Sequence, residues 1–388
     1  MNQGQMVFSQ VMNFASQDIF KIIVARYKGN YRSREFTSWK HFLCLAFGQL
    51  TNRESMSDTL LCLKLCENKL FHLGIGKAFD KSTVSRANEN RDWRIFQDFG
   101  LKLISQANDL YKDYNQLDFN LKGEIFALDS TCIDLCLDIY WWATFRSTKA
   151  AIKIHTLLNV KTSMPEFIFI TEGDVHDVNI LDKVRIKKGC YYVMDRAYVD
   201  YERLYSLHLK KAFFVVRAKI NLKFIRISSR KVNKELNIIC DQEIKLKGIN
   251  SYKNYSQNLR RIKIYDPEFK RTLIFLTNNK RLKAETISKL YKSRWYVELF
   301  FKWIKQHLKI KSFWGQNENA VRSQIWVAIS SYVIVAIAKR KLNIDNSLYE
   351  ILQYISLAPF EKEPLSETFS SGRWTEMKNK IDIQLKMF

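Results

Sequence analysis

The sequence lacks the features that would place the protein in or on a membrane. Its longest apolar run, Ile325–Ile337, is too short and too interrupted by serine to span a bilayer. The N-terminal residues show no basic segment followed by an apolar one, so no signal peptide is predicted. No basic amphipathic helix stands apart from core-like sequence, which argues against binding to anionic lipids. We therefore expect a cytoplasmic protein without a membrane partner.

The sequence also lacks a cysteine pattern that would bind zinc. Its seven cysteines form no CxxC motif. The two CxxxC pairs, Cys62/Cys66 and Cys132/Cys136, lie among leucine and isoleucine residues, and no second Cys or His pair completes a zinc site. We interpret the cysteines as buried thiols in a reducing compartment.

Acidic residues are scarce relative to basic ones. With 39 Asp and Glu against 63 Lys and Arg, the net charge is +24. Nucleic acid is the commonest partner of a protein with so strong a positive electrostatic field. An AT-biased coding sequence would also enrich lysine and so raise the net charge. The 388 residues are 47% hydrophobic, enough for a large core distributed over two or three structural units.

The periodicity of apolar residues changes along the chain and predicts an α/β fold. Up to residue 117, apolar residues recur at helical spacing and predict helices over Val7–Ile23, Trp39–Leu50, Ser57–Leu70 and Trp93–Tyr114. From residue 122 the pattern predicts three strands, a helix, a strand, a helix and a strand, which is a layered α/β order. Between residues 219 and 280, four short alternating segments predict antiparallel strands inserted into this layer.

One polar segment of the helical region is a candidate DNA-binding element. The segment Phe79–Asp92 reads FDKSTVSRANENRD and predicts a short helix with Ser82 as its N-cap. Arg86 and Arg91 would be available to DNA if this were the second helix of a helix-turn-helix. An ordinary surface helix explains the pattern equally well.

The stretch Tyr291–Lys305, YKSRWYVELFFKWIK, contains no Gly or Pro and predicts one helix, buried nearly all round. At about 100° per residue, its five polar residues share an arc of about 80°. A solvated face of i,i+4 charge pairs is the alternative interpretation. One Tyr, one Arg and a second Lys on the same arc favour phosphate binding. The five residues are Tyr291, Arg294, Glu298, Lys302 and Lys305.

Three carboxylates stand next to apolar sequence. Asp129 follows the predicted strand EIFAL, Asp195 follows YYVM, and Glu298 lies on the predicted helix. Carboxylates at strand ends of an α/β sheet, in a very basic protein, are typical of a site for hard divalent cations. We predict two Mg²⁺ ions about 4 Å apart, with Mn²⁺ as a possible substitute.

These motifs together resemble a known family, the DDE transposases of bacterial insertion sequences. The resemblance is to insertion-sequence family four, whose Y-(2)-R-(3)-E-(6)-K signature is met by Tyr291, Arg294, Glu298 and Lys305. The segments ALDSTCIDL and VMDRAYVDY, around the two aspartates, match the other two blocks of the family. Ala197 departs from the family pattern, which usually has Gly at that position.

The resemblance implies an RNase H-like mixed-sheet catalytic core with a β-rich insertion, an N-terminal all-helical DNA-binding domain and a helical C-terminal tail. The implied domains are residues 1–117 for the DNA-binding domain, 118–218 and 283–318 for the core, 219–282 for the insertion and 319–388 for the tail. Asp129, Asp195 and Glu298 would be the catalytic metal ligands.

The resemblance also implies a reaction and its partners. Mg²⁺-dependent cleavage at the terminal inverted repeats would be followed by strand transfer to target DNA, with hairpin ends as an intermediate. The partner would be double-stranded DNA, both transposon ends and target, bound by a homodimer in the synaptic complex within the nucleoid. The family holds a flipped base with an aromatic residue of the insertion. The insertion here has no Trp, so Phe224, Tyr252 or Tyr255 would have to serve.

The remaining candidates flank the carboxylates. Arg196 and Tyr198 are predicted to orient Asp195 or to bind DNA phosphate. His155 alternates with Lys153 on a predicted strand, and a structural role is more common for such a histidine. Asp177 is predicted to cap a helix. Asp134 and Asp138 are interpreted as surface carboxylates.

Two alternatives to a transposase are a catalytically silent, transposase-derived DNA-binding protein and a Mg²⁺-dependent nuclease without strand transfer.

Overall fold

The structure, a computed structural model, describes residues 4–146, 149–268, 270–307 and 313–370. The chain divides into a helical unit, residues 1–113, 136–142 and 302–388, and a sheet unit, residues 114–135 and 143–301. The end of the predicted C-terminal tail, residues 371–388, lies outside the described residues.

The helices of the helical unit follow the predicted apolar periodicity. In chain order they are α1 (Val7–Met12), α2 (Gln17–Arg26), α3 (Ser38–Leu50), α4 (Met56–Leu65), α5 (Lys81–Asn90), α6 (Arg94–Leu110), α11 (Glu318–Lys341), α12 (Leu348–Leu357) and α13 (Leu365–Ser370). The sheet unit contains α7 (Tyr201–Leu209), α8 (Ile249–Asn254) and α9 (Ala284–Lys292), and α10 (Trp295–His307) runs from the sheet unit into the helical unit.

The predicted helix Val7–Ile23 is wrong as a single element, because the chain forms α1 and α2 instead. Ser16 lies between them, and its hydroxyl accepts a hydrogen bond from the backbone N–H of Ile19. A serine that satisfies a free N–H in this way starts a helix rather than continuing one.

Helix α11 forms the centre of the helical unit. It packs on α3 and α6, and Trp326 is fully buried. By length and composition α11 could cross a membrane, but 94% of its apolar window is buried inside the protein. Its hydrophobicity is therefore explained by its place in a protein core.

The sheet unit is built on ten strands in the described part of the chain. They are β1 (Ile125–Leu135), β2 (Thr144–Arg146), β3 (Lys149–Asn159), β4 (Met164–Glu172), β5 (Tyr191–Met194), β6 (Phe213–Arg217), β7 (Phe224–Arg230), β8 (Ile238–Leu246), β9 (Leu259–Asp266) and β10 (Arg271–Thr277). Their order is β2-β3-β1-β5-β6-β10-β9-β8-β7, and β4 also pairs with β3. The predicted α/β fold with a mixed sheet is confirmed.

Strand direction differs across the sheet. Strands β1, β3 and β4 pair antiparallel, whereas β5 is parallel to β1 and β6 is parallel to β5. Buried side chains from β1, β5 and β6 form one core with α7, including Leu128, Met194, Val216 and Leu204. This core fixes the end of β5 and the neighbouring middle part of β1, beside which two of the predicted carboxylates lie.

The four strands of the insertion pair antiparallel, as predicted. They do not form a separate layer, however, because β10 pairs with β6 and extends the same sheet. The alternating apolar residues of β8 and β9 are therefore buried, including Ile244, Leu246 and Ile262.

A buried ion pair connects the insertion to the segment before α9. Arg260 on β9 donates to both carboxylate oxygens of Asp241, at 2.8 and 2.6 Å, and to the carbonyls of Asn279 and Leu282. Both charged side chains are at most 5% exposed. The pair thereby holds the backbone that leads into α9.

Replacing Asp241 with alanine should destabilise the protein by about 3–5 kcal/mol, because it leaves the Arg260 charge buried without its carboxylate. Urea denaturation measures the change. The matched control is Lys280→Ala, which removes a half-exposed partner of Glu243 and should cost less than about 1 kcal/mol. Equal effects of the two changes would contradict the structural role assigned to Arg260.

Candidate active site

Asp129 and Asp195 lie on neighbouring strands. Leu128 on β1 is the register partner of Met194 on β5, and each aspartate directly follows its partnered residue. Parallel neighbours are separated by about 4.8 Å, so the two aspartates start from adjacent backbone positions.

The strand that carries Asp129 is longer than the sequence predicted. Asp129 does not follow the end of a strand, since β1 continues through it to Leu135. The reason is β3, which pairs with β1 from Phe126 to Leu135 and satisfies its backbone beyond the end of β5. Asp129 is therefore held within a strand, whereas Asp195 is the first residue after the end of β5.

The predicted helix Tyr291–Lys305 is also two helices in the structure. Helix α9 ends at Lys292 and α10 begins at Trp295. Between them, the Ser293 hydroxyl donates to the Leu290 carbonyl at 2.7 Å, and the Arg294 N–H donates to the carbonyl of Tyr291. Such i→i−3 bonds and serine back-bonding tighten the chain and interrupt the regular helix.

The interruption places Arg294 between two carboxylates. Its Nη1 lies 2.6 Å from Oδ2 of Asp129, and its Nη2 donates to Oε1 of Glu298. The three side chains are 18%, 19% and 34% exposed, respectively. One guanidinium therefore joins carboxylates that lie far apart in sequence.

Burial raises the pKa of the Asp129 carboxyl to about 6, although the neighbouring Arg294 charge lowers it. The charges of Glu298 and Asp195 also raise this pKa. Burial lowers the pKa of Arg294, but Asp129 and Glu298 more than offset this effect and the pKa is raised. The arginine therefore keeps its charge.

The raised pKa of Asp129 predicts a pH-dependent stability. The ordinary pKa is 3.8, so between about pH 4 and 6 the folded protein holds a proton that the unfolded chain has lost. This contribution to stability is present at low pH and is lost as the pH rises through about 6. Relative to Asp129→Asn, which cannot ionise, the wild-type free energy of unfolding should fall over this range.

Urea denaturation in EDTA at several pH values measures the difference between the two proteins. Because all other titrating groups are common to both, parallel pH profiles would contradict a raised pKa at Asp129.

The sequence of this chain is similar to those of known proteins. The family model of the transposase DDE domain matches residues 120–334, which include all three carboxylates, and a domain of unknown function matches residues 3–76. The chain belongs to the DDE transposases of insertion sequences. The resemblance seen in the sequence is thus confirmed, and the protein is an enzyme that acts as a DNA transposase.

Individual relatives carry the same designation. A protein of Sinorhizobium fredii named as transposase y4zB is 33% identical over 243 residues, which cover 62% of this chain and 67% of the relative. A Geobacillus stearothermophilus protein named as the transposase for insertion sequence element IS5377 is 27% identical, over 66% of this chain and 67% of the relative. A Synechocystis protein named for element IS4SA is 26% identical, over 74% of this chain and 80% of the relative.

The carboxylates of the transposase suit a hard divalent cation in chemistry. DDE transposase domains generally use divalent metal ions, and Asp129, Asp195 and Glu298 offer only oxygen ligands. Among the described residues, however, no three His, Cys, Asp or Glu side chains converge as a metal site. The Arg294 guanidinium is instead the cation that bridges Asp129 and Glu298.

The other signature residues have different surroundings. Tyr291 is 8% exposed and packs on Phe275, with ring centroids 4.4 Å apart. Lys302 is exposed, and both it and Lys305 lie in the helical unit. The prediction that this segment is buried nearly all round is wrong, because Trp295 and Leu299 are 57% and 40% exposed.

The predicted DNA-binding residues also divide into exposed and buried ones. Arg86 and Arg196 are exposed, whereas Tyr198 is 1% exposed. The guanidinium of Arg91 donates to the carbonyl of Thr37 and to the hydroxyl of Ser33. A structural role is thus visible for Arg91, and its contact with DNA stays a prediction.

The helix that carries Arg86 differs from the one predicted. Helix α5 begins at Lys81, and Asp80 rather than Ser82 is at the N-cap. The preceding α4 ends at Leu65, and a helix-turn-helix joins its helices by three or four residues. Helix α5 is therefore not the second helix of such a motif formed with α4.

Of the three insertion aromatics predicted to stack on a base, one is exposed. Tyr255 is fully buried and its hydroxyl hydrogen-bonds with Nδ1 of His208 at 2.7 Å, so it is a core residue. Phe224 is half-buried, with the Arg261 guanidinium 4.9 Å from the ring centroid. Tyr252 is 40% exposed, and Lys245 lies 4.6 Å from its ring centroid.

Sequence reasoning missed a connection between Asp177 and the site. The N-cap of this 3-10 helix is His176 rather than Asp177, and the Asp177 carboxylate accepts from the hydroxyl of Ser130, at 2.8 Å. Lys153 and His155 also approach this carboxylate. Their alternation on β3 was the available signal, because it placed both on one face of the strand.

Proposed function

We propose that the transposase cleaves DNA at the terminal inverted repeats of its element and transfers the freed strands to target DNA, with Asp129, Asp195 and Glu298 as the ligands of the catalytic metal. The observation that supports this is the Arg294 guanidinium that joins Asp129 to Glu298, with Asp195 on the strand that pairs in parallel beside Asp129. Carboxylates brought together at such desolvation cost are expected where a cation is to be bound.

The proposed metal is Mg²⁺, as two ions, with Mn²⁺ as a substitute. When bound, the ions would activate an attacking oxygen and stabilise a leaving oxygen. Asp129 and Glu298 would have to release Arg294, at least in part, to become ligands. The freed guanidinium would then be available to a DNA phosphate, where its planar donors bind two oxygens at once.

The strand order supports an RNase H-like core. Strands β4, β3 and β1 pair antiparallel, and β5 and β6 continue parallel to β1, so the two aspartates lie on adjacent inner strands of a mixed sheet. We propose residues 118–218 and 283–318 as this core, 219–282 as its insertion, 1–117 as the DNA-binding domain and 319–388 as the C-terminal region. The synaptic complex is proposed to be a homodimer on double-stranded DNA in the nucleoid.

Phosphate binding is proposed for the remaining candidates. The exposed candidates are Lys302, Arg86 and Arg196. The less exposed candidates would contact DNA only after local rearrangement or through their neighbours; they are Tyr291, Lys305, Arg91 and Tyr198. Hairpin formation, if it follows cleavage, is assigned to Tyr252 because it is the exposed aromatic of the three candidates.

The experiment uses duplexes that carry the inverted repeats flanking the gene, either uncut or pre-cleaved, together with a target plasmid. Cleavage of uncut ends and joining of pre-cleaved ends, both dependent on Mg²⁺ and blocked by EDTA, are the expected results. Cleavage without joining would favour the nuclease. Binding without either reaction would favour a catalytically silent DNA-binding protein.

A further inference from the structure

A polar cluster lies beside Asp129 on β1. Successive side chains of a strand point to opposite faces, so Ser130 faces away from Asp129. His155 is the register partner of Ser130 on β3, and Lys153 is two residues away on the same face. These side chains meet at Asp177, the first residue of a 3-10 helix that ends at Asp182.

The cluster is organised around one carboxylate oxygen. Oδ1 of Asp177 accepts from the Ser130 hydroxyl at 2.8 Å and lies 3.2 Å from Nζ of Lys153 and 3.8 Å from Nδ1 of His155. Lys153 also donates to the carbonyl of Val175, at 2.8 Å. The lysine is thereby fixed against the backbone just before Asp177.

The charge on this carboxylate is balanced by Lys153. Burial lowers the pKa of His155 to about 4, although Asp177 raises it, so the imidazole is neutral at pH 7. Its Nε2 hydrogen-bonds with the Thr171 hydroxyl at 2.9 Å. The side chain of Lys153 is only 11% exposed, and an ion pair buried to this degree is weak evidence for a purely stabilising role.

Ser130 connects the cluster to Asp129. Its backbone N–H donates to Oδ1 of Asp129 at 2.9 Å, while its hydroxyl is bonded to Asp177. The opposite oxygen of Asp129 is bonded to Arg294. A shift of the β1 backbone at Ser130, which the hydroxyl bond to Asp177 resists, would therefore alter one of the two contacts that orient the Asp129 carboxylate.

We propose that Asp177, held by Lys153, is a positioning residue for DNA cleavage, because it fixes Ser130 and through Ser130 the carboxylate of Asp129. This inference rests on the proposed function of Asp129. The 3-10 helix that begins at Asp177 thereby has a part in the reaction. In the described part of the chain, no hydrogen bond joins its residues to Arg294 or Glu298.

The test compares Asp177→Asn, Ser130→Ala and the double variant in single-turnover cleavage of an inverted-repeat duplex with Mg²⁺. Each single change should lower the cleavage rate on the order of 10- to 100-fold, the usual effect of losing a residue that orients a metal ligand. The dissociation constant for the duplex should stay within about twofold. The double variant should be no slower than the slower single variant, because both changes break one connection.

Thr171→Val is the matched control. It removes the hydroxyl at the far side of His155 and leaves the contacts among Ser130, Asp177 and Lys153 intact. It should cleave at close to the wild-type rate. Thermal melting in EDTA accompanies every variant.

If the wild-type protein cleaves, three results would overturn the inference. They are a wild-type cleavage rate in Asp177→Asn, a loss of rate in the double variant that equals the product of the two single losses, or a loss of rate in Thr171→Val as large as that in Asp177→Asn. If Asp177→Asn does not fold, normal cleavage by Ser130→Ala decides against the inference in the same way. Failure of the wild-type protein to cleave would instead reject the proposed function.

Discussion

Replacing Asp129 with asparagine is expected to stop DNA cleavage while leaving the binding of the element's ends intact. Asparagine preserves the size of the side chain but not the negative charge, and neither a divalent cation nor Arg294 would be held as in the wild type. The cleavage rate should fall on the order of 10³-fold or more, as for a residue that contacts the reacting groups. A gel assay of labelled end duplexes measures binding and cleavage on the same samples.

The matched control for this change is Asp134→Asn. Asp134 lies on the same strand but is exposed, as the sequence interpretation of a surface carboxylate expected. Its replacement should leave both binding and cleavage unchanged. Cleavage that survives in Asp129→Asn, or is lost equally in Asp134→Asn, would remove Asp129 from the active site.

Replacing Arg294 with alanine is expected to have two separable effects. Without a metal, Asp129 and Glu298 lose their shared cation, so the free energy of unfolding should fall by about 2–3 kcal/mol. Mg²⁺ should then raise the stability of the variant more than that of the wild type, because the carboxylates are no longer bonded to a guanidinium. Cleavage should nevertheless be slow, since the proposed phosphate-binding group is gone.

Melting temperatures in EDTA and in MgCl₂ measure the first effect, and the end-cleavage assay measures the second. Lys289→Ala serves as the control, because Lys289 forms an exposed ion pair with Asp118 in the same unit and should contribute less than about 1 kcal/mol. A variant Arg294→Ala that melts like the wild type in EDTA and gains nothing from Mg²⁺ would show that the bridge does not compete with a metal.

Apolar periodicity predicted the order of the longer strands and helices, but it missed β2 and α8 and joined α1 with α2 and α9 with α10. The antiparallel insertion and the α/β layer follow from alternation and segment spacing alone. What periodicity could not show is that β10 pairs with β6, since pairing partners distant in sequence leave no local signal.

The boundaries near the site were wrong for physical reasons that can be named. The strand through Asp129 is prolonged by β3, a tertiary partner, whereas the sequence around Asp129 resembles a strand end. The break between α9 and α10 depends on a hydrogen bond from the Ser293 hydroxyl to the Leu290 carbonyl. Helix propensity does not predict such a bond. The three carboxylates were found because each stood beside apolar sequence, but the bridging position of Arg294 follows from that break.

The shared strand β6 has a mechanical consequence for how the insertion can contribute to catalysis. Backbone hydrogen bonds tie β6 to β5, which leads to Asp195, and on its other side to β10 of the insertion. A motion of the insertion as a hinged lid would have to break one of these ladders. The insertion is therefore a rigid extension of the sheet, and a DNA group bound to it is kept at a fixed distance from Asp195. Conformational adjustment during the reaction is then limited to side chains and to the DNA.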